Sequence, residues 1–104
     1  MKLVLVKLVL ALNRGVLLKK ETLEMAWARQ KLRDGKLTNY GLGFEIRPIG
    51  DNRVIGHTGG QRGTQTNMIL IPEKGIAIGL MLNLEATPVL IPLTKGIAAV
   101  LLEP

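Results

Sequence analysis

Apolar and polar positions divide this chain into helical segments at both ends and strands between them. From Lys2 to Asn13 the residues are almost all aliphatic, interrupted by Lys7, and the run closes on Asn13-Arg14-Gly15. This pattern predicts a helix over 2–13, with Gly15 at a left-handed C-cap. A second helix is expected from Glu21 to Lys31, where Leu23, Ala26 and Trp27 share one face. Glu21 and Glu24 suit its positive N-terminal end, whereas Lys19 and Lys20 do not. Arg33-Asp34-Gly35-Lys36 predicts a turn.

Strand patterns follow. Tyr40 to Ile46 reads as a strand containing two glycines, Pro48 to Asn52 as a turn, and Arg53 to Thr58 as a strand that runs into a flexible Gly60-Gln61-Arg62-Gly63 turn. Gln65 to Ile71 and Ile76 to Leu82 read as a hairpin joined by Pro72-Glu73-Lys74-Gly75, because proline presets the first turn angle and glycine can take positive φ. The run Ile76-Ala77-Ile78-Gly79-Leu80-Met81-Leu82 has no polar face, the mark of a strand buried on both sides. Beyond Thr87 and Pro88, the residues Leu93, Ile97, Val100 and Leu101 form a stripe at helical spacing, with Pro92 in a first turn. The expected fold is α+β: an antiparallel sheet of three to four strands, with the N- and C-terminal helices packed on one face. Residues 1–104 read as a single unit.

Composition removes several function classes. Apolar residues make up 47% of the 104 residues, too many for a disordered chain. Cysteine is absent, which excludes disulfides, thiolate catalysis and cysteine metal sites. A single histidine and scattered acids do not make a metal site, and no cofactor is implied. The net charge is +6, and most of the 14 basic residues lie between Lys2 and Lys36. Such a surface could meet nucleic acid. With only Trp27, Tyr40 and Phe44 as aromatics, base stacking is poorly supplied, so these charges read as solvated helix faces and no nucleic-acid partner is expected. The N-terminal apolar run imitates a signal peptide but lacks a small-residue cleavage site, and it is too short to span a bilayer. No compartment is assigned, although the lack of a leader motif points toward the cytoplasm.

Candidate chemistry lies in Gly56-His57-Thr58-Gly59-Gly60. This segment resembles the third active-site motif of the serine β-lactamase and penicillin-binding superfamily, in particular the histidine version found in class C-like esterase and D-aminopeptidase branches. Tyr40-Gly41-Leu42-Gly43-Phe44 resembles the family's YGLG-aromatic strand, and Ile71 to Ile78 its Pro-Glu-basic-Gly hairpin. Asn83 falls where an asparagine often closes the last strand. Leu17 to Leu23 resembles an LLSPETL helix start, with Lys19 replacing the N-cap serine and so removing a cap worth about 1 kcal/mol.

The resemblance implies acyl transfer through a serine, with negative charge building on a carbonyl oxygen that preorganised backbone N–H groups stabilise. It implies that Gly60 supplies one such N–H. Thr58, with Gly59, would bind the substrate's carboxylate or the active-site polar network. His57 would stand in for the usual lysine beside the catalytic base. A lone histidine at a strand end can also be purely structural, and the motif is what favours chemistry here. Tyr40 is not followed by the x-Asn of the family's catalytic tyrosine motif, so it reads as strand packing.

The chain contains no serine, and no threonine has a lysine three residues on. The family's Ser-x-x-Lys and Tyr-x-Asn motifs are missing, so the covalent route has no first step. The expectation is therefore the C-terminal part of a class C β-lactamase-like hydrolase acting on an amide, lactam or ester. It would be an incomplete fold, inactive alone, whose partner is the missing N-terminal helical part. A non-catalytic binding module derived from that fold is the first alternative, and a basic nucleic-acid-binding domain the second. Missing neighbouring strands would leave Ile76 to Leu82 as a bare edge, predicting a homo-oligomer that buries Ile76, Ile78, Leu80 and Leu82.

Overall fold

The computed structural model describes residues 2–85 and 87–103. Its elements are α1 (Lys2–Asn13), α2 (Lys20–Ala26), β1 (Glu45–Ile46), β2 (Ile55–Gln61), β3 (Thr64–Ile71), β4 (Ile76–Leu82) and α3 (Leu90–Leu102). The four strands form one antiparallel sheet in the order β1-β2-β3-β4. The α+β class with helices at both ends is as the sequence pattern predicts.

Local chemistry explains the elements that match. Helix α1 stops where Gly15 takes φ 75°. Gly15 N–H then donates to Leu12 O at 3.0 Å and Val16 N–H to Ala11 O at 3.2 Å, the paired closure of a Schellman motif. Between β3 and β4 the residues Pro72–Lys74 make a short 3₁₀ turn that ends on Gly75 at φ 65°.

Helix α2 ends five residues before the expected Lys31, and Tyr40 to Phe44 is a tight loop that leaves only β1 of the expected strand. One long-range contact causes both departures. Leu42 N–H donates to Ala26 O at 2.8 Å, which terminates the helix, and Gly41 N–H donates to Phe44 O at 2.7 Å, which folds the loop. Gly41 is buried against the Ala26 carbonyl so closely that any Cβ would collide with that oxygen. Only Glu45 and Ile46 then remain to pair with Gly56 and Ile55.

The two terminal helices divide between the sheet faces; they do not share one. On one side Val9 and Leu12 of α1, with Leu23 and Trp27, pack on Ile55, Leu70 and Ala77. On the other, Ile97, Ala98 and Leu102 of α3 pack on Ile69, Ile71 and Ile78. The reason is the one read in β4: a strand without a polar face needs cover on both sides. Ile78 is buried, and Ile76, Leu80 and Leu82 are half-buried within the single chain. That cover counts against association through the faces of β4. Its outer edge remains the last edge of the sheet.

Helix α3 also presents a different stripe. Leu90, Thr94 and Ala98 are buried, while Leu93, Val100 and Leu101 of the expected stripe are exposed and only Ile97 packs. A polar pair sets this rotation. Buried Asn67 of β3 donates from Nδ2 to Thr94 Oγ1 at 3.0 Å, and that hydroxyl donates to Leu90 O at 2.8 Å. Turning Thr94 away would strand the buried amide.

Candidate active site

Strand β2 carries all four sequence-predicted site residues and continues through Gln61. Gly60 thus lies in the ladder opposite Gln65, and the turn is only Arg62-Gly63. The outer side of β2 is paired with β1 at Ile55 and Gly56 alone. Arg47 N–H donates to Val54 O at 3.0 Å, so residue 54 faces β1. Strand alternation then turns Gly56, Thr58 and Gly60 to that outer side, and Ile55, His57, Gly59 and Gln61 toward β3. The Gly60 N–H consequently points off an open edge. Thr58, Gly59 and Gly60 also line an open cleft over the tip of the β2–β3 hairpin, together with Arg62, Gln65 and Glu85.

The edge is held from behind. Asn67 stands opposite Thr58 in the register and is tied to α3 through Thr94. Thr66 Oγ1 donates to Gly59 O at 3.3 Å, and a Cβ at Gly59 would come within 2.8 Å of that hydroxyl. At the tip, Gly63 N–H donates to the Glu85 carboxylate at 3.0 Å.

Two side chains from the folded 40–45 loop reach the motif. Tyr40 Oη lies 2.9 Å from His57 Nε2. Thr58 Oγ1 donates to Glu45 Oε1 at 3.4 Å, and the other Glu45 oxygen sits 3.8 Å from Arg47 Nε. The Thr58–Glu45 separation is long for a hydroxyl donor, so this is not a tight nucleophile–base pair. The second ring nitrogen of His57, Nδ1, faces the Thr58 carbonyl. Tyr40 is therefore more than strand packing. The YGLG-like motif that begins at Tyr40 does not reveal this contact, which is made by the loop that Gly41 permits.

At the N-terminal end of the strand, Arg53 ties three elements together. It pairs with Glu24 of α2 at 2.8 Å and with Glu73 at 3.0 Å, and lies 5.5 Å over the Trp27 ring. Its hydrogen bond holds the Glu24 carboxyl below the usual carboxylate range, and the same bond raises Arg53. Among the described residues no three His, Cys, Asp or Glu side chains gather as metal ligands, and no helix is long and apolar enough to cross a membrane.

A family model described as Beta-lactamase matches residues 4–101. The chain belongs to the β-lactamase family. Comparison with curated proteins finds no match. Membership places this β-lactamase-family chain among the serine β-lactamase and penicillin-binding proteins, a serine hydrolase superfamily. What the arrangement offers chemically is an oriented N–H donor, a hydroxyl and an imidazole along one strand edge.

Proposed function

We propose that this chain supplies the oxyanion-binding edge of a class C β-lactamase-like hydrolase, whose serine nucleophile comes from a separate N-terminal part. The observation that carries the reading is the Gly60 N–H, aimed off an open strand edge in a chain with no serine. A scissile carbonyl laid along β2 would place its oxygen at that donor, and the negative charge of the tetrahedral intermediate would be met by a dipole already in position. Thr58 would bind a substrate carboxylate or the polar network beside it, with Gly59 allowing close approach. His57 would assist proton movement next to the activated serine. The attacking serine oxygen would bond to the carbonyl carbon and expel an amine or alcohol. Water would then release the acid and restore the serine.

The complementary part would bear Ser-x-x-Lys and Tyr-x-Asn, and its strands would extend the sheet at the outer edge of β4. A homodimer through that same edge is the arrangement the chain adopts without it. The test combines this chain with a separately produced Ser-x-x-Lys-bearing part of the family, against a chromogenic lactam and a p-nitrophenyl ester. Neither component alone should turn over substrate, and the mixture should. Turnover by this chain alone, abolished by a substitution within it, would overturn the reading. A non-catalytic module is favoured by the same open edge, which can accept an extended peptide through main-chain hydrogen bonds. Peptide binding with no turnover in the mixture would select it.

A further inference from the structure

Tyr40 and His57 are the one tyrosine and the one histidine of the chain, and their polar atoms stand 2.9 Å apart. The partner of Nδ1 is the Thr58 carbonyl. A carbonyl oxygen only accepts, so in this geometry Nδ1 carries a proton. In the neutral ring Nε2 is then a bare acceptor, and the Tyr40 O–H beside it is a donor.

We infer that Tyr40 is a positioning residue that holds the His57 ring where Nδ1–H meets the Thr58 carbonyl; that carbonyl selects the Nδ1–H tautomer and leaves Nε2 as an acceptor facing the phenol. The inference rests on the hydrolase reading of this site for its use in catalysis, but not for its geometry.

Tyr40 is itself fixed. Its N–H donates to Thr38 Oγ1 at 3.2 Å, and its carbonyl accepts from Gln30 N–H at 3.0 Å and from Thr38 Oγ1 at 3.0 Å. A backbone bridge joins it to Glu45. Its ring meets the imidazole edge-on, with centroids 6.1 Å apart and planes at 75°. The phenol thus approaches His57 from an anchored backbone, although Tyr40 as a residue is 40% exposed.

A hydroxyl can donate or accept, so the pair can keep its hydrogen bond in both protonation states of the ring. When Nε2 takes up a proton during turnover, the phenol O–H turns and Oη becomes the acceptor. One proton is gained by the ring and no covalent bond of Tyr40 breaks. The ring keeps a partner and its orientation in both states.

The test is nuclear magnetic resonance of the full chain carrying ¹⁵N-histidine, where a single histidine gives one pair of ring nitrogens. With the ring neutral, the wild type should show Nδ1 protonated and Nε2 unprotonated. Tyr40→Phe should shift the ring toward the Nε2–H form, with the β2 amide signals retained. A wild-type ring protonated on Nε2 overturns the inference, and so does a Tyr40→Phe ring that matches wild type. If Tyr40→Phe does not fold, the wild-type spectrum decides alone. Neither readout needs turnover, so failure of the reconstitution assay would sink the hydrolase reading while leaving the tautomer assignment in place.

Discussion

Strands β2 and β4 flank the same central strand and are built for opposite ends. β4 is aliphatic throughout apart from Gly79, and is covered by α1 on one face and α3 on the other. β2 begins in the same manner, with Ile55 and Gly56 buried, and then becomes exposed and glycine-rich from His57 onward, with Thr58 alone half-buried. The burial that stabilises the sheet lies in β3 and β4 and the first two residues of β2. The residues of the proposed site lie on the part of β2 that contributes little to the core. The contrast implies that stability and reactivity respond to different substitutions within one sheet.

The largest effect expected is on the core side. Leu70 is 1% exposed on β3, between Ile55 and Ala77 in the register. Leu70→Ala should cost about 2–5 kcal/mol through lost burial and a residual cavity. Urea unfolding should show this loss, whereas His57→Ala should stay within about 0.5 kcal/mol of wild type, as exposed positions do. Equal costs at the two sites would erase the contrast.

On the reactive side, Gly60→Pro removes an N–H that makes no ladder bond. In the reconstituted enzyme kcat should fall by roughly 10²–10³-fold, as for the loss of one oxyanion donor. Its unfolding midpoint should move far less than that of Leu70→Ala. His57→Ala should lower kcat less, by about 10-fold or more, since it removes only part of a proton-transfer route. An unchanged rate for Gly60→Pro would show that the strand end is structural.

Thr94→Val sharpens the comparison from behind the site. It leaves the buried Asn67 amide without its partner and should cost about 1–3 kcal/mol by urea unfolding. Adding Asn67→Leu should recover part of that loss, and strict additivity of the two changes would show that the pair does not set the seat of α3.

The smallest effect concerns Arg53. Glu24 is held below its ordinary range in the folded chain. A carboxyl lowered on folding contributes stability above its unfolded value, and loses it as pH falls through the lowered folded value. The side chain of Glu24 is 46% exposed, so the contribution should be about 0.2–1 kcal/mol and weaken in salt. Thermal unfolding followed from neutral to acid should show this loss in wild type. The part due to Glu24 should be missing in Arg53→Gln, and identical slopes would remove the ion pair from the account.

What was legible in the sequence follows the same division. The bounds of β4 and of the hairpin turn could be read because an aliphatic run sat between Pro72-Gly75 and Asn83, and α1 because Gly15 closes it. The seat of α3 could not be read, because Leu, Ile and Val surround that helix and a single Thr–Asn bond chooses its face. The motif resemblance picked out Gly60, His57 and Thr58 as candidates, and all three lie on β2. The end of α2 and the role of Tyr40 were hidden for a common reason. Both depend on Gly41 meeting the Ala26 carbonyl, a contact between residues far apart in sequence that outweighs local periodicity.

That contact reaches beyond the fold. Gly41 touches none of the groups on the β2 edge, yet the loop it closes carries Tyr40 to His57 and Glu45 to Thr58. In a comprehensive mutational screen scored by activity, position 41 would therefore rank with the reactive residues. Even alanine there would push the loop off the helix end and withdraw both side chains together. Directed evolution aimed at new substrates should vary the cleft around Arg62 and Glu85 and leave position 41 as glycine.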